Sequence, residues 1–315
     1  MTAGPETSIA PALPASGEAD RRSGLLWGCA AYLFWGLVTI YWKALRHFDP
    51  FELIGYRISA SAILTGAYVT ATGRMRPLLA RLRDPALLRR VTFASVMLTI
   101  NWTTYVWAVV NGRVIETALG YFITPIGLML AGVVVLHEHM HTVQRCALVL
   151  AVAAVVVLTI GYGRVPWVSL VIAVTWVAYT FAKKQSPLSA IDSLTAETLI
   201  VFVPALVMVI WAANRTGSAP NTATAGQWVL IAFTGVVTTL PLVMFAIAAQ
   251  RLPLTVMALA QYIVPTINFL LGWLAYHETL NGTRVIGFVL VWIGLAAVTV
   301  DSLRRMRRNV SATST

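Results

Sequence analysis

ALGYFITPIGLMLAGVVVLHEHM (118–140) and ALAQYIVPTINFLLGWLAYHETL (258–280) are the two stretches that decide the fold. Aligned at an offset of 140 residues, they are identical at eight of 23 positions. Apolar segments match easily by chance, but a proline, a glycine and a His-Glu pair shared in one register do not. The chain therefore contains an internal repeat. The matched positions that carry it are Pro125/Pro265, Gly132/Gly272, His137/His277 and Glu138/Glu278.

The composition places the chain in a membrane. Of its 315 residues 58% are hydrophobic and only 11% are charged, and the mean hydropathy is +0.76. A soluble domain carries about 25% charged residues. The net charge of +11 sits in short clusters between apolar runs, so it indicates membrane topology and not a nucleic-acid partner. The two cysteines, Cys29 and Cys146, are too few for a disulfide framework and are interpreted as membrane-buried thiols.

Ten apolar segments are long enough to span the hydrocarbon, which takes about 20 residues. In the bilayer they must be helices, because they are too uniformly apolar for barrel strands. Only a tight turn at 161–164 separates the fifth segment from the sixth. The segments lie near 24–42, 52–72, 91–110, 115–136, 144–162, 165–182, 194–213, 228–249, 254–276 and 285–302.

The offset of 140 residues spans five helices, an odd number, so the two copies cross the membrane in opposite directions. The basic residues agree: 16 of the 23 fall on the tails and even-numbered loops and six on the odd loops, which predicts both termini in the cytoplasm. The predicted fold is an all-α polytopic plasma (inner) membrane protein of ten helices in two inverted five-helix repeats. The predicted parts are a disordered tail (1–22), the two repeats (23–163 and 164–302) and a basic tail (303–315).

Inverted repeats are typical of secondary transporters, whose solute site lies where the halves meet. Two other classes stay open. His137, Glu138 and His141 fit H-E-x-x-H, the signature of an intramembrane zinc metallopeptidase. The second copy keeps His277-Glu278 but loses the second histidine, and no third ligand is evident, so we interpret the motif as a helix end and expect no metal. A non-transporting sensor or assembly protein is the other alternative.

Several stretches resemble the EamA family of drug/metabolite transporters, and in particular its RarD-type, chloramphenicol-sensitive-protein branch. They are AYLFWGLVTIYWKAL (31–45), NWTTYVWAVVNGRVIETALGYFITP (101–125), KKQSPLSAIDSLTAET (183–198), VVTTLPLVMFAIAAQRLPL (236–254) and QYIVPT (261–266). The resemblance covers about residues 23–302 and implies a ten-helix inner-membrane permease that moves a small metabolite or drug. We expect export or exchange of the solute, and no cofactor. One departure is Gly55-Tyr56-Arg57, where an Ala-His-Arg-like stretch is expected.

Ionisable groups within spans are costly and are functional candidates. Arg57 is predicted to partner an anionic group of the solute or a carboxylate; the alternative is snorkelling to the interface. The repeat register places Arg57 over Glu197, and Glu52 over Asp192. We predict that Glu52, Glu116 and Glu197 serve proton coupling or gating; for Glu116, an interfacial role is the alternative.

The remaining candidates are amide, aromatic and proline residues. Predicted solute-binding residues, besides Arg57 and Tyr56, are Asn101, Trp102, Tyr105, Tyr121, Gln261, Tyr262 and Asn268; an aromatic belt at the interface is the alternative. Predicted helix kinks lie at Pro125, Pro241 and Pro265. Gly24 and Gly28 fit G-x-x-x-G, which weakly indicates a homodimer.

Overall fold

The computed structural model describes residues 18–136, 142–184, 186–249, 251 and 260–313, and these ranges contain α-helices but no strand. They also contain one π-helical segment, Leu271–Ala275. The helices are α1 (Glu18–Ala44), α2 (Pro50–Ala71), α3 (Met75–Arg81), α4 (Pro85–Val110), α5 (Val114–Leu136), α6 (Thr142–Tyr162), α7 (Trp167–Lys184), α8 (Ala190–Ile200), α9 (Phe202–Ala213), α10 (Ala219–Thr222), α11 (Ala225–Ala249), α12 (Ile263–Leu270) and α13 (Gly282–Thr313).

The all-α prediction is confirmed, and the described residues of each predicted span lie mostly on helix. In the part of the chain that the structure describes, four helices are by themselves long and apolar enough to cross a membrane: Arg22–Ala44, Pro85–Val110, Ala225–Phe245 and Gly282–Asp301. The bent pair α8 and α9 supplies a fifth such segment. The count of ten crossings stays a prediction. Helix α1 begins at Glu18, within the predicted N-terminal tail, and α13 continues to Thr313 through the predicted basic tail.

The helix that opens each predicted half packs against helices of the other half. Helix α1, which opens the first half, packs against α11 and α12 of the second. Its counterpart α7, which opens the second half, packs against α4 and α5 of the first. The last helices of the halves, α6 and α13, pack against each other. This arrangement is the one expected of two related halves that share a central site.

Loops with odd numbers in the predicted topology meet at one end of the bundle, here called the odd-loop end. Arg215, in the seventh loop, pairs with Asp49 of the first loop at 3.3 Å. Glu278, in the ninth loop, accepts a hydrogen bond from the backbone of Val114, just after the third loop. Because helices that cross in alternation bring odd loops together, these contacts agree with the predicted alternation.

Even-numbered loops and the N-terminal helix meet at the opposite, even-loop end. Arg74 of the second loop pairs with Asp192 of the sixth at 3.0 Å. Arg251 of the eighth loop donates to the hydroxyl of Ser23 at 2.8 Å. Each of these contacts joins the first predicted half to the second, so both ends of the bundle carry polar contacts between the halves.

The seventh predicted span is broken. Helices α8 and α9 meet at Val201 with a bend of 51°. Pro204 lies in the first turn of α9. Because proline has no backbone N–H, Pro204 cannot donate to the carbonyl four residues earlier, at Ile200, and the helix bends there. The sequence prediction of a continuous span missed this bend, although the proline was visible.

Helices α2 and α11, from different halves, approach closely at a glycine. A Cβ built at Gly235 of α11 would lie 2.7 Å from the carbonyl oxygen of Ala60 on α2. Real Cβ atoms do not come that close, so the two helix backbones meet at this distance only because residue 235 has no side chain. This contact holds α2 and its Arg57 against α11.

Candidate functional site

Arg57 lies in the interior of α2 and is only 8% exposed. Its Nε donates to the hydroxyl of Thr238 on α11 at 3.0 Å. Its guanidinium carbon lies 4.0 Å from the centre of the Trp102 ring on α4 and 5.3 Å from that of Trp42 on α1. Arg57 therefore contacts helices of both halves, and its guanidinium lies inside the protein and not at an interface.

The Arg57 charge is only partly compensated by its neighbours. Among the described residues, none of the ion pairs involves Arg57. A charge in the centre of a bilayer costs at least about 2.5–3.5 kcal/mol. A desolvated cation over a tryptophan face recovers about 2 kcal/mol. The site thus holds a positive charge for which the surrounding side chains supply no full counter-charge.

A chain of three polar side chains crosses from one half to the other beside Arg57. The Thr39 hydroxyl of α1 shares a hydrogen bond with the Tyr105 hydroxyl of α4 at 2.7 Å. Thr39 also donates to Oδ1 of Asn268 on α12 at 2.6 Å. Tyr105 lies close enough to Arg57 for electrostatic interaction. Tyr105 and Asn268, both predicted as solute-binding residues, are therefore brought together with Arg57.

Asn101 and Tyr121 complete the group that we call the Arg57 cluster. The Asn101 amide is fully buried and donates to the backbone carbonyl of Ile172 and the hydroxyl of Thr175, both at 3.0 Å. Tyr121 donates to Oδ1 of Asn101 at 3.3 Å. The cluster consists of Thr39, Trp42, Arg57, Asn101, Trp102, Tyr105, Tyr121, Thr238 and Asn268.

Three predicted solute-binding residues lie apart from these contacts. Tyr56 packs edge-on against Trp228, with ring centres 5.7 Å apart. Tyr262 packs against buried apolar residues of α5, α12 and α13, and it hydrogen-bonds Thr299 on α13. Gln261 precedes Tyr262 in the turn that leads into α12. Successive residues on a helix point about 100° apart, which is why Tyr56 and Arg57 face different neighbours.

Two of the three predicted gating glutamates lie at the odd-loop end. Glu116, 4% exposed, pairs with Arg164 at 3.0 Å and lies 3.9 Å from Arg113. Glu52, 1% exposed, accepts the backbone N–H of Ala219 at 2.9 Å through Oε1. Its other oxygen, Oε2, has no hydrogen-bond partner among the described residues. Neither glutamate pairs with Arg57.

The third, Glu197, lies near the even-loop end. It is 1% exposed and pairs with Lys183, while the Ser193 and Tyr179 hydroxyls donate to it at 2.7 and 3.3 Å. The register-matched residues Arg57 and Glu197 therefore belong to separate clusters. The same holds for the other register-matched pair, since Asp192 partners Arg74 and not Glu52.

Glu278 is a functional candidate whose role the sequence analysis missed. Its two carboxylate oxygens accept the backbone N–H groups of Val114 and Ile115 at 2.6 and 3.0 Å. The first N–H groups of a helix have no partner within the helix, and an anion there is also favoured by the helix dipole. Lys43 of α1 joins this region, donating to the carbonyl of Val109 at 3.2 Å. The visible signal was the His-Glu pair shared by both repeats.

A cavity of about 410 Å³ lies at the odd-loop end, between the first loop, the end of α4 and the seventh loop. Its wall carries charges of both signs. The polar residues lining it include Arg46, His47, Asp49, Glu52, Asn111 and Arg215. The cavity is large enough for a small solute, and it reaches the first turn of α2, the helix that carries Arg57.

The zinc alternative and the predicted kinks can be placed only in part. His137, Glu138 and His141 lie outside the described residues, and the described residues contain no group of three metal-ligating side chains. Pro125 and Pro241 lie inside α5 and α11, where each removes one helix hydrogen bond. Pro265 lies in the first turn of α12, where proline is tolerated.

Comparison with known proteins gives the chain its relatives. Residues 22–160 and 165–300 each match the model of the EamA-like transporter family, one match on each predicted half. The Protein RarD of Streptomyces exfoliatus is 40% identical over 93% of this chain and 93% of the relative. The "Uncharacterized transporter YojE" of Bacillus subtilis is 30% identical over 93% of this chain and 99% of the relative. The "Chloramphenicol-sensitive protein RarD" of Pseudomonas aeruginosa is 24% identical over 90% and 96%.

One crystal structure also superposes on the chain, with a TM-score of 0.53 and 17% identity. It covers 89% of this chain, which in turn covers 98% of it. At that identity the likeness concerns the fold alone.

Proposed function

Because the chain belongs to the EamA-like transporter family, and is therefore an integral membrane permease, we propose that it carries its solute past the Arg57 cluster by alternating access. The solute is a small metabolite or drug-like molecule, and transport is export or exchange. The sequence contains no G-x-x-x-x-G-K-[ST] motif, so an ion or solute gradient supplies the energy.

The observation that carries this proposal is the position of the Arg57 cluster between the two halves. Arg57 on α2 is bonded to Thr238 on α11, and Thr39 on α1 to Asn268 on α12. In both pairs one residue comes from each half. Rocking of the halves would change the environment of a solute held there, as alternating access requires.

The polar contacts at the two ends are proposed as gates. Glu278 on the α5 N-terminus and Arg215 on Asp49 close the odd-loop end. Arg74 on Asp192 closes the even-loop end. Contacts of this kind are individually weak at an exposed surface. They can therefore break and reform as the solute site turns from one side of the membrane to the other.

Transport can be tested in liposomes. The purified protein is reconstituted into liposomes loaded with chloramphenicol, phenylacetate, phenylacetamide and 2-phenylethylamine, and the retained solutes are measured by mass spectrometry over time. We expect at least one solute to leave faster than from protein-free liposomes. Retention equal to that of protein-free liposomes for every solute, under both imposed and absent pH gradients, would contradict the proposal.

Two arginine variants tie the transport to the cluster. Arg57→Gln should lower the rate of efflux by at least tenfold, because it removes the buried charge. Arg76→Gln makes the same chemical change at an exposed position on α3 and should leave the rate unchanged. Equal rates in the two variants would place the solute path elsewhere.

A further inference from the structure

We propose, on the basis of the permease function proposed above, that the Arg57 cluster selects monoanionic solutes in which a short carbon link joins a carboxylate to an aromatic ring. Three properties of the cluster support this inference: its charge, its excess of hydrogen-bond donors, and its aromatic side chains.

The charge of the cluster is positive. Arg57 is buried and, within the described part of the chain, makes no ion pair with a carboxylate. Its titratable neighbours include Tyr121, Tyr105 and Tyr41, whose hydroxyls are uncharged near neutral pH. One cation without a counter-ion matches a solute with one negative charge. A doubly charged phosphate would bring more negative charge than this cluster can neutralise.

The unpartnered polar groups of the cluster are donors. Arg57 uses its Nε on Thr238, and the structure gives its two terminal nitrogens no acceptor among the described residues. Trp42 Nε1 and Asn268 Nδ2 are fully buried donors that also have no partner there. Carboxylate oxygens without a partner among the described residues do occur, on Glu52 and Glu116, but these belong to the odd-loop end of the bundle.

Buried donors without acceptors are rare in native structures, and each calls for an explanation. A carboxylate offers two oxygens and about four lone pairs, and the guanidinium fork matches its geometry. A neutral amide offers one oxygen and adds two donors of its own, and an ammonium adds only donors. The donor excess around Arg57 therefore favours a carboxylate over the neutral and cationic forms of the same molecule.

Several side chains in and beside the cluster are aromatic. Trp42 and Trp102 lie against the guanidinium, and Tyr105 and Tyr121 lie edge-on to each other with ring centres 6.0 Å apart. Tyr121 in turn lies edge-on to Trp176 on α7 at 6.1 Å. Aromatic rings pair favourably in edge-on and offset arrangements. A solute with an aromatic ring should therefore pack against these side chains better than one with a saturated ring.

A matched series of four compounds tests the proposal on the intact protein. Binding of phenylacetate, phenylacetamide, 2-phenylethylamine and cyclohexylacetate to the detergent-purified protein is measured by calorimetry. We expect phenylacetate to bind at least tenfold more tightly than the amide or the amine, and at least threefold more tightly than cyclohexylacetate. Equal or tighter binding of the amide or the amine, or no binding of phenylacetate, would overturn the proposal.

Variants assign the preference to Arg57. Arg57→Gln should abolish the tenfold preference for phenylacetate over phenylacetamide, and Arg76→Gln should retain it. If Arg57→Gln does not fold, Arg57→Lys is used: it keeps the charge but not the planar fork, so the preference should fall without vanishing. A preference that survives unchanged in the Arg57 variants would overturn the assignment.

The two proposals fail separately. If liposomes containing the protein release the amide or the amine but not phenylacetate, the permease function stands and the anion preference is wrong. If phenylacetate binds in an Arg57-dependent way but no solute crosses the liposome membrane, the anion site stands and the permease function is wrong.

Discussion

The Glu278 carboxylate accepts a hydrogen bond from the backbone N–H of Val114 at 2.6 Å. Glu278 follows the fourth predicted span of the second half, and Val114 begins the fourth span of the first half, so this contact joins the two halves. The same carboxylate accepts the next N–H, that of Ile115. A capping contact of this kind links the two halves at one end of the bundle, so its loss should change the stability of the protein measurably.

We expect Glu278→Ala to lower the melting temperature of the purified protein. The change leaves two backbone N–H groups at the start of α5 without their acceptor, which costs about 1–2 kcal/mol for a helix cap. The measurement is thermal unfolding in detergent at neutral pH. The control is Asp20→Ala, which removes an exposed carboxylate on α1 and should change the melting temperature little. Equal losses in both variants would show that Glu278 does not stabilise the contact.

The contribution of Glu278 should depend on pH. Burial raises the pKa of the Glu278 carboxyl, and the backbone N–H groups, Lys43 and Arg284 offset the rise only in part. The folded protein thus binds a proton there more readily than the unfolded chain, so stability from this group grows as the pH falls through the raised pKa. The melting-temperature difference between wild type and Glu278→Ala should widen from pH 7 to pH 5. A difference that narrows on acidification would contradict this sign.

The ion pair between Arg74 and Asp192 can be tested by exchanging its charges. Arg74→Asp places two acids together at the even-loop end and Asp192→Arg two bases, and each should alter the rate of solute release from liposomes. The double variant restores an opposite pair and should recover the wild-type rate. The pair is partly exposed, with its arginine 40% and its aspartate 18% accessible, so each effect on stability should be within about 1 kcal/mol. Additive effects in the double variant would show that the pair is not coupled.

Much of the fold follows from the sequence because a bilayer leaves an apolar segment few choices. With no water to satisfy the backbone, uniformly apolar runs must be helices, and the described residues are helical in these runs. The turn predicted at 161–164 lies at 163–166 in the structure, because α6 continues to Tyr162. Gly163 in this turn adopts a φ of +64°, a conformation that favours glycine. The bend at Val201 was missed because hydropathy carries no information about backbone hydrogen bonds, and Pro204 lacks the N–H that one of them needs.

The site was predicted less completely, and the reason is the range of its contacts. Arg57 was identifiable because a charge within an apolar run is costly. Its partner Thr238 lies 181 residues away, and a threonine in an apolar span carries no signal of its own. Glu278 was seen as a polar residue at a helix end, but its acceptor role depends on α5 lying alongside. Register alone paired Arg57 with Glu197, whereas side-chain direction places them in separate clusters.

The close contact between α2 and α11 gives a prediction with a control on the same helix. Gly235→Ala places a Cβ 2.7 Å from the Ala60 carbonyl oxygen, so the helices must separate and the melting temperature should fall. The cost of forcing an extra carbon into a packed contact is about 1–3 kcal/mol. Gly226→Ala lies on α11 with no atom within 4 Å of the new Cβ, and it should leave stability unchanged or raise it by up to about 1 kcal/mol. Equal effects at both positions would refute the packing argument.

Asn101 and Tyr121 should separate structural from solute-binding roles within the Arg57 cluster. Asn101 has both ends of its amide engaged, by α7 and by Tyr121, so Asn101→Ala leaves the buried Ile172 carbonyl and the Thr175 hydroxyl without their donor. We expect a loss of about 1–3 kcal/mol in stability, read as a lower melting temperature. Tyr121→Phe removes one long hydrogen bond and keeps the ring, so the fold should lose less than about 1 kcal/mol while phenylacetate affinity falls. A stable Asn101→Ala protein and an unstable Tyr121→Phe protein would contradict this prediction. The structural role would then belong to Tyr121, because the side chain whose loss unfolds the protein is the one that holds α4 against its neighbours.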